Sequence, residues 1–159
     1  MAETLSSSAQ KVQDALHALG MACQVVELPA TTRSAKEAAH AIGCQVGQIV
    51  KSLVFRGQNS NTPILALVSG ANRVNEKTLS TLVAEPIQKA DADFVREKTG
   101  FAIGGVPPVG HRETFVTFID ENLFQYQEIW AAAGTPHAVF KLTPDELKQI
   151  TDGQIITVT

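Results

Sequence analysis

No stretch of the sequence approaches the roughly 18 consecutive apolar residues that a membrane-spanning helix needs, and the opening Met1-Ala2-Glu3-Thr4 is polar. Neither a membrane span nor a cleaved secretory leader is therefore expected. Cysteine is scarce: Cys23 and Cys44 stand alone, too few for a disulfide scaffold, and the expectation is a cytoplasmic protein with both thiols free. Positive charge is scarce as well, 13 Lys and Arg against 16 Asp and Glu for a net charge of −3, with no block of five like charges. That balance lacks the usual electrostatic footprint of a protein that grips long stretches of phosphate backbone, and any contact with nucleic acid is expected to be local.

The common catalytic signatures are also missing. There is no Gly-x-Ser-x-Gly elbow, no Gly-x-x-x-x-Gly-Lys-Ser/Thr phosphate loop, no Gly-x-Gly-x-x-Gly turn after a strand, no His-Glu-x-x-His and no paired Cys-x-x-Cys. His17, His40, His111 and His137 lie far apart in sequence, and none stands at a ligand spacing from Cys or a carboxylate. Metal, nucleotide-triphosphate and dinucleotide chemistry all lose ground.

What is present is a chain of 159 residues, 44% apolar and 18% charged, with mean hydropathy near zero. That suits one globular domain over residues 1–159. Apolar positions Val12, Leu16 and Leu19 predict a helix over residues 8–19, stopped by Gly20. Residues 23–28 read as a strand closed by Pro29. Ser34 and Glu37 have capping-box spacing ahead of a helix with Ala35, Ala38, Ala39 and Ile42 on one stripe, ending before Gly43.

Residues 50–56 and 63–69, separated by a polar turn, predict a hairpin. Asn75 can cap a helix carrying Leu79, Leu82 and Val83, and Asp91 or Asp93 can start another carrying Phe94 and Val95 before Gly100, with a short strand over residues 86–90 between them. Further on, the pattern predicts a strand over 115–120, a helix over 123–133 ended by Gly134, a strand over 137–142, a short helix over 144–150 and a final strand over 155–158. Without regular strand-helix-strand alternation the expected class is α+β, with a largely antiparallel, barrel-like sheet surrounded by helices.

Two features carry candidate chemistry. The two-residue period of a strand places Lys51 on one face with Leu53 and Phe55. A lysine there either packs its stem and keeps its ammonium in water, or stands at the mouth of a pocket. The second feature is the loop Gly104-Gly105-Val106-Pro107-Pro108-Val109-Gly110-His111. Its glycines permit close approach of main chain to a ligand, and its prolines hold Val106 and Pro107 extended. The amides of Gly104, Gly105 and Val106 are then donors that a stiff loop can aim at an oxygen, unless the loop is a plain structural turn.

In combination these segments resemble a known family. The run Ala38 to Gly43, then Gln48-Ile49-Val50-Lys51-Ser52-Leu53-Val54-Phe55, then Thr99-Gly100-Phe101 leading into Gly104 to Pro108, together with Phe118-Ile119-Asp120-Glu121 and Ala133-Gly134-Thr135-Pro136, resembles the YbaK and prolyl-tRNA-synthetase insertion-domain family of editing deacylases. The likeness keeps the same order over nearly the whole chain. It implies hydrolysis of mischarged aminoacyl-tRNA in trans, without a metal or other cofactor, in a pocket for the tRNA acceptor 3′ end. It further implies catalytic roles for Lys51, Gly104 and Gly105, and substrate contacts from Val106, Pro107, Pro108, His111, Asp120, Gly134 and Thr135. Where the family pattern often has Ser or Cys before the second motif proline, this chain has Pro107, and His111 is a candidate contributor to specificity.

The resemblance implies that the substrate's ribose 2′-hydroxyl helps to orient the attacking water. Glycine and proline lining suggests a small amino acid such as alanine, serine, threonine or cysteine, on a tRNA of the Cys- or Ala-tRNA(Pro) kind. A synthetase is the expected protein partner, with no membrane, and the chain is expected to be a monomer or weak homodimer. The rival reading is a non-catalytic module that holds an aminoacyl end, a nucleotide or a partner protein; a third is an esterase for another activated acyl compound.

Overall fold

A computed structural model describes residues 5–159, so the polar opening, residues 1–4, lies outside the described residues. Local side-chain caps set the helices. In α1 (Ser7–Ala18), Ser6 accepts from the Ala9 amide at 3.4 Å, and Ala9, Val12 and Leu16 are fully buried along one stripe. In α2 (Ala35–Ile42), Ser34 accepts from the Glu37 amide at 3.1 Å, while the Glu37 carboxylate turns to the Thr31 hydroxyl instead of closing the box. Asn75 caps α3 (Glu76–Val83), and Asp91 rather than Asp93 caps α4 (Ala92–Thr99), accepting from the Phe94 amide at 2.8 Å. A complete capping box between Thr143 and Glu146 starts α5 (Pro144–Thr151). Among the described residues no helix is long and apolar enough to cross a membrane.

The strands are β1 (Val25–Glu27), β2 (Ile49–Gly57), β3 (Pro63–Ser69), β4 (Ile87–Lys89), β5 (Val116–Asp120), β6 (Ile129–Ala132), β7 (Ala138–Leu142) and β8 (Gln154–Ile156). They form one sheet in the order β1-β7-β6-β2-β3-β5-β8, with β4 also on β2. Four ladders are antiparallel and three parallel, giving a mixed α/β architecture. The expected hairpin is β2–β3, in register from Val50↔Ser69 to Arg56↔Pro63. Every residue of β3 is buried, because it is central in the sheet and core packs on both of its faces. Leu65 and Leu67 join one cluster with Val50 and Val54, while Ile64, Ala66 and Val68 join another with Phe55.

One expected element is wrong. Residues 123–133 do not form a helix; they divide into a short 3-10 turn (Glu121–Gln125) and β6. The buried Asp120 side chain accepts from the Asn122 amide at 2.9 Å and ties down the turn. Residues 129–132 then alternate, with Ile129 and Ala131 buried and Trp130 and Ala132 half-buried, between parallel β2 and antiparallel β7. The alanines and large apolar residues suit a helix locally, but two flanking strands satisfy this backbone, so tertiary pairing overrides propensity.

The ladders leave an interval in the sheet. Since β3 covers one edge of β2 from Val50 to Arg56, β6 and β4 share the other edge. There β6 pairs only at Ile49 and Val50, and β4 only at Phe55 to Gly57.

Candidate active site

A cavity of about 360 Å³ opens at that interval. Residues Val50 to Val54 of β2 form its floor, and its walls come from the entry to α2 (Thr32 to Ala35), from Lys89 at the end of β4 and Ala90 after it, from Ala132 at the end of β6, and from Ile103, Gly104 and Val106. Of the expected site residues, Lys51, Gly104 and Val106 therefore meet around one space. Among the described residues, the charged ones of the lining are Arg33, Lys51 and Lys89, with no Asp or Glu, in a chain whose net charge is −3. An apolar chamber with cations on its wall can take a small apolar group and hold an anion beside it.

Lys51 is half-buried, and its ammonium donates to the Asn72 carbonyl at 2.5 Å. Burial holds its pKa below the ordinary lysine value, the Arg73 charge pushes the same way, and Asp120 opposes both. Asp120 lies beneath: fully buried, it accepts from the Asn72 side-chain amide at 2.8 Å and from the Ser69 amide at 3.0 Å. It does not line the cavity. It holds the turn whose carbonyl receives the lysine.

The glycine-proline segment is a loop, as expected. Gly104 lines the cavity with φ at +94°, a left-handed conformation that favours glycine. Gly105 is buried behind it. The Gly105 amide donates to the Ala102 carbonyl at 3.1 Å, so one of the three amides counted from sequence already has an acceptor. The Gly105 carbonyl accepts from the Gly134 amide at 2.8 Å, and a Cβ at Gly105 would sit 2.7 Å from the Thr135 nitrogen. Gly134 and Thr135 therefore support the loop from behind. The next residue, Pro136, accepts from the Thr32 amide at 2.5 Å and the Thr32 hydroxyl at 2.9 Å, so the same turn also anchors the opposite wall.

Pro107 and Pro108 are buried outside the lining, and His111 is also outside it. The His111 Nε2 donates to the Pro107 carbonyl at 2.5 Å, and its ring lies against Phe115 with centroids 4.9 Å apart. Burial lowers its pKa, with the Pro107 hydrogen bond working against that shift. His111 braces the loop. Both thiols are free, Cys23 buried and Cys44 half-buried. Among the described residues, no three His, Cys, Asp or Glu side chains gather as metal ligands would.

Sequence reasoning missed Arg33, Lys89, Ala132 and Asn72. Arg33 precedes a helix cap and Lys89 ends a short strand, and neither sits in a motif.

The model of the aminoacyl-tRNA editing domain matches residues 29–150. A crystal structure of a protein provisionally identified as a trans-editing enzyme for prolyl tRNA synthetase is 52% identical, with TM-score 0.92, covering 98% of this chain and 99% of that one. A protein of Enterococcus faecalis (strain ATCC 700802 / V583) provisionally named as the Cys-tRNA(Pro)/Cys-tRNA(Cys) deacylase EbsC is 28% identical over 127 residues, 79% of this chain and 77% of that one. A proline–tRNA ligase of Thermosipho africanus (strain TCF52B) is 35% identical over 79 residues, 49% of this chain and 14% of the ligase.

Proposed function

Because the chain belongs to the aminoacyl-tRNA editing domain family and is by that membership an aminoacyl-tRNA deacylase, we propose that it acts in trans in the cytoplasm, clearing a small amino acid from a mischarged tRNA of the Cys- or Ala-tRNA(Pro) kind. The observation that carries this reading is that Lys51, Gly104 and Val106 meet at one cavity, lined mostly by apolar residues and by the cations Arg33, Lys51 and Lys89.

In the reaction, a water oxygen attacks the ester carbonyl carbon, the bond from that carbon to the ribose 3′-oxygen breaks, and free amino acid leaves the tRNA 3′-hydroxyl behind. The ester is already activated, so the protein has mainly to position water and stabilise the charge that develops on the carbonyl oxygen. The amides of Gly104 and Val106 are the loop donors for that charge, each worth about 2.7–4 kcal/mol when well aimed. Lys51, Arg33 and Lys89 hold the terminal phosphate or the developing oxyanion as point charges. The ribose 2′-hydroxyl orients the water. Gly105, Gly134, Thr135 and His111 fix the loop, and Asp120 fixes the Lys51 turn, rather than touching substrate.

Local cations in an acidic chain bind a polyanion weakly, which favours a synthetase as the partner that delivers the tRNA. The test is release of free amino acid from a panel of mischarged tRNAs at catalytic protein concentration. Repeated turnover on small amino acids is expected. Stoichiometric binding without turnover would favour the non-catalytic module.

A further inference from the structure

The floor of the cavity has hydrogen-bonding capacity that the fold leaves unused. The Ile49 carbonyl accepts from the Gly70 amide at 2.7 Å, and the Gly57 amide donates to the Thr62 carbonyl at 3.0 Å, so odd-numbered residues of β2 bond toward β3. On the other edge, the Ala90 amide donates to the Val54 carbonyl at 3.1 Å and the Gln58 amide to the Pro86 carbonyl at 2.8 Å, so even-numbered residues face away from β3. On that edge β6 stops pairing at Val50 and β4 begins at Phe55. The amide and carbonyl of Ser52 fall between, on a stretch that no strand among the described residues covers and that lines the cavity. The Ser52 Oγ is likewise buried with no hydrogen-bond partner among the described residues. Buried polar groups normally find partners, and those that do not call for an explanation.

We propose that the main chain of Ser52 reads the amino-acid part of the substrate, its carbonyl accepting from the α-ammonium and its amide donating to the ester carbonyl. The proposal rests on the deacylase reading and assigns the groups by which that site tells an ester of an α-amino acid from an activated acyl group without an α-ammonium. An aminoacyl ester carries its α-nitrogen and its carbonyl oxygen in the relation they have in one residue of a chain. It can therefore dock on Ser52 as one residue meets another in a hydrogen-bonded antiparallel pair, a one-residue form of strand addition. This also replaces the loop donor that Gly105 gives to Ala102. Selection by the main chain leaves side-chain choice to the surrounding Val50, Val54, Ala90 and Ala132 walls.

The test uses the full chain and the aminoacyl-tRNA that the panel shows to be cleaved fastest, alongside the same tRNA carrying the matching α-hydroxy acid. Each enzymatic rate is divided by the spontaneous rate of its own ester. Loss of a hydrogen bond from a charged donor predicts that the hydroxy ester is cleaved about 10–100-fold less efficiently. Amide hydrogen exchange supplies the positional readout: a non-hydrolysable 3′-aminoacylamino-3′-deoxyadenosine should slow exchange at Ser52 and leave Leu53, whose amide faces β3, unchanged. Equal normalised rates for the two esters, or no slowing at Ser52 when the analogue is bound, would overturn the proposal while leaving the deacylase reading intact. Failure to cleave either ester would overturn both.

Discussion

The Gly134 amide donates to the Gly105 carbonyl at 2.8 Å, and through this bond the turn after β6 holds the loop that forms one wall of the cavity. One residue pair thus couples the strand the sequence hid to the loop it displayed. A Cβ at Gly105 would lie 2.7 Å from the Thr135 nitrogen and 2.9 Å from the Gly134 carbonyl carbon, both backbone atoms that cannot swing aside. Gly105→Ala is therefore expected to cost about 1–3 kcal/mol in stability, measured by denaturant unfolding. Gly104→Ala meets only the Arg33 Cγ at 3.7 Å, so its cost should be limited to the left-handed backbone, about 1–2 kcal/mol. Equal stability of Gly105→Ala and the parent would show that the loop is not seated on the turn.

Asp120 should behave as a structural residue. Its carboxylate receives the Ser69 amide, the Asn72 side chain and the Asn122 amide, and Asp120→Ala strands the buried Ser69 amide and removes one partner each from the part-buried Asn72 and Asn122 groups. A loss of roughly 3 kcal/mol or more is expected. Thermal unfolding checks it. Full stability with lost activity would instead return Asp120 to the role of substrate contact.

His111 gives the fold a sensitivity to acid. Its folded pKa is lowered by burial below the ordinary value of 6.5, so from there downward the unfolded chain takes up a proton that the folded chain refuses. Stability is unaffected above that pH, falls as pH drops toward the folded pKa, and levels off below it. Unfolding midpoints for the parent and His111→Gln should diverge in this window, the variant losing less. Parallel curves would contradict the buried neutral imidazole.

Lys51 imposes the opposite limb. Burial and the Arg73 charge lower its pKa from the ordinary 10.5, so its positive charge is lost at a lower alkaline pH than that of a free lysine. If the charge serves catalysis, kcat/KM corrected for spontaneous hydrolysis should fall as pH rises through a value below 10.5. A profile flat to that value would contradict the role.

Much of this was legible in the chain because it is written locally. Ser34 and Gly43 bracket α2, Thr143 and Glu146 open α5, and the polar turn between residues 57 and 62 sets the β2–β3 hairpin. Strand period and backbone chemistry made Lys51 and Gly104 candidates beside plainer structural readings, the family resemblance implied their roles, and the two meet at the cavity. Residues 123–133 were misread because the forces that make Ile129 to Ala132 a strand come from β2 and β7, far away in sequence. Arg33, Lys89 and the free edge at Ser52 depend on where α2, β4 and β6 start or stop, and no local pattern records that.

The central claim is that the space between Lys51 and the Gly104 loop hydrolyses aminoacyl esters, and single-turnover release of amino acid from a mischarged tRNA by the parent chain and by Lys51→Ala tests it most directly. A variant with parental unfolding behaviour whose rate falls by about 100-fold or more, the scale set by losing one oriented electrostatic group, is the predicted result. A folded Lys51→Ala that releases amino acid at the parental rate would contradict it.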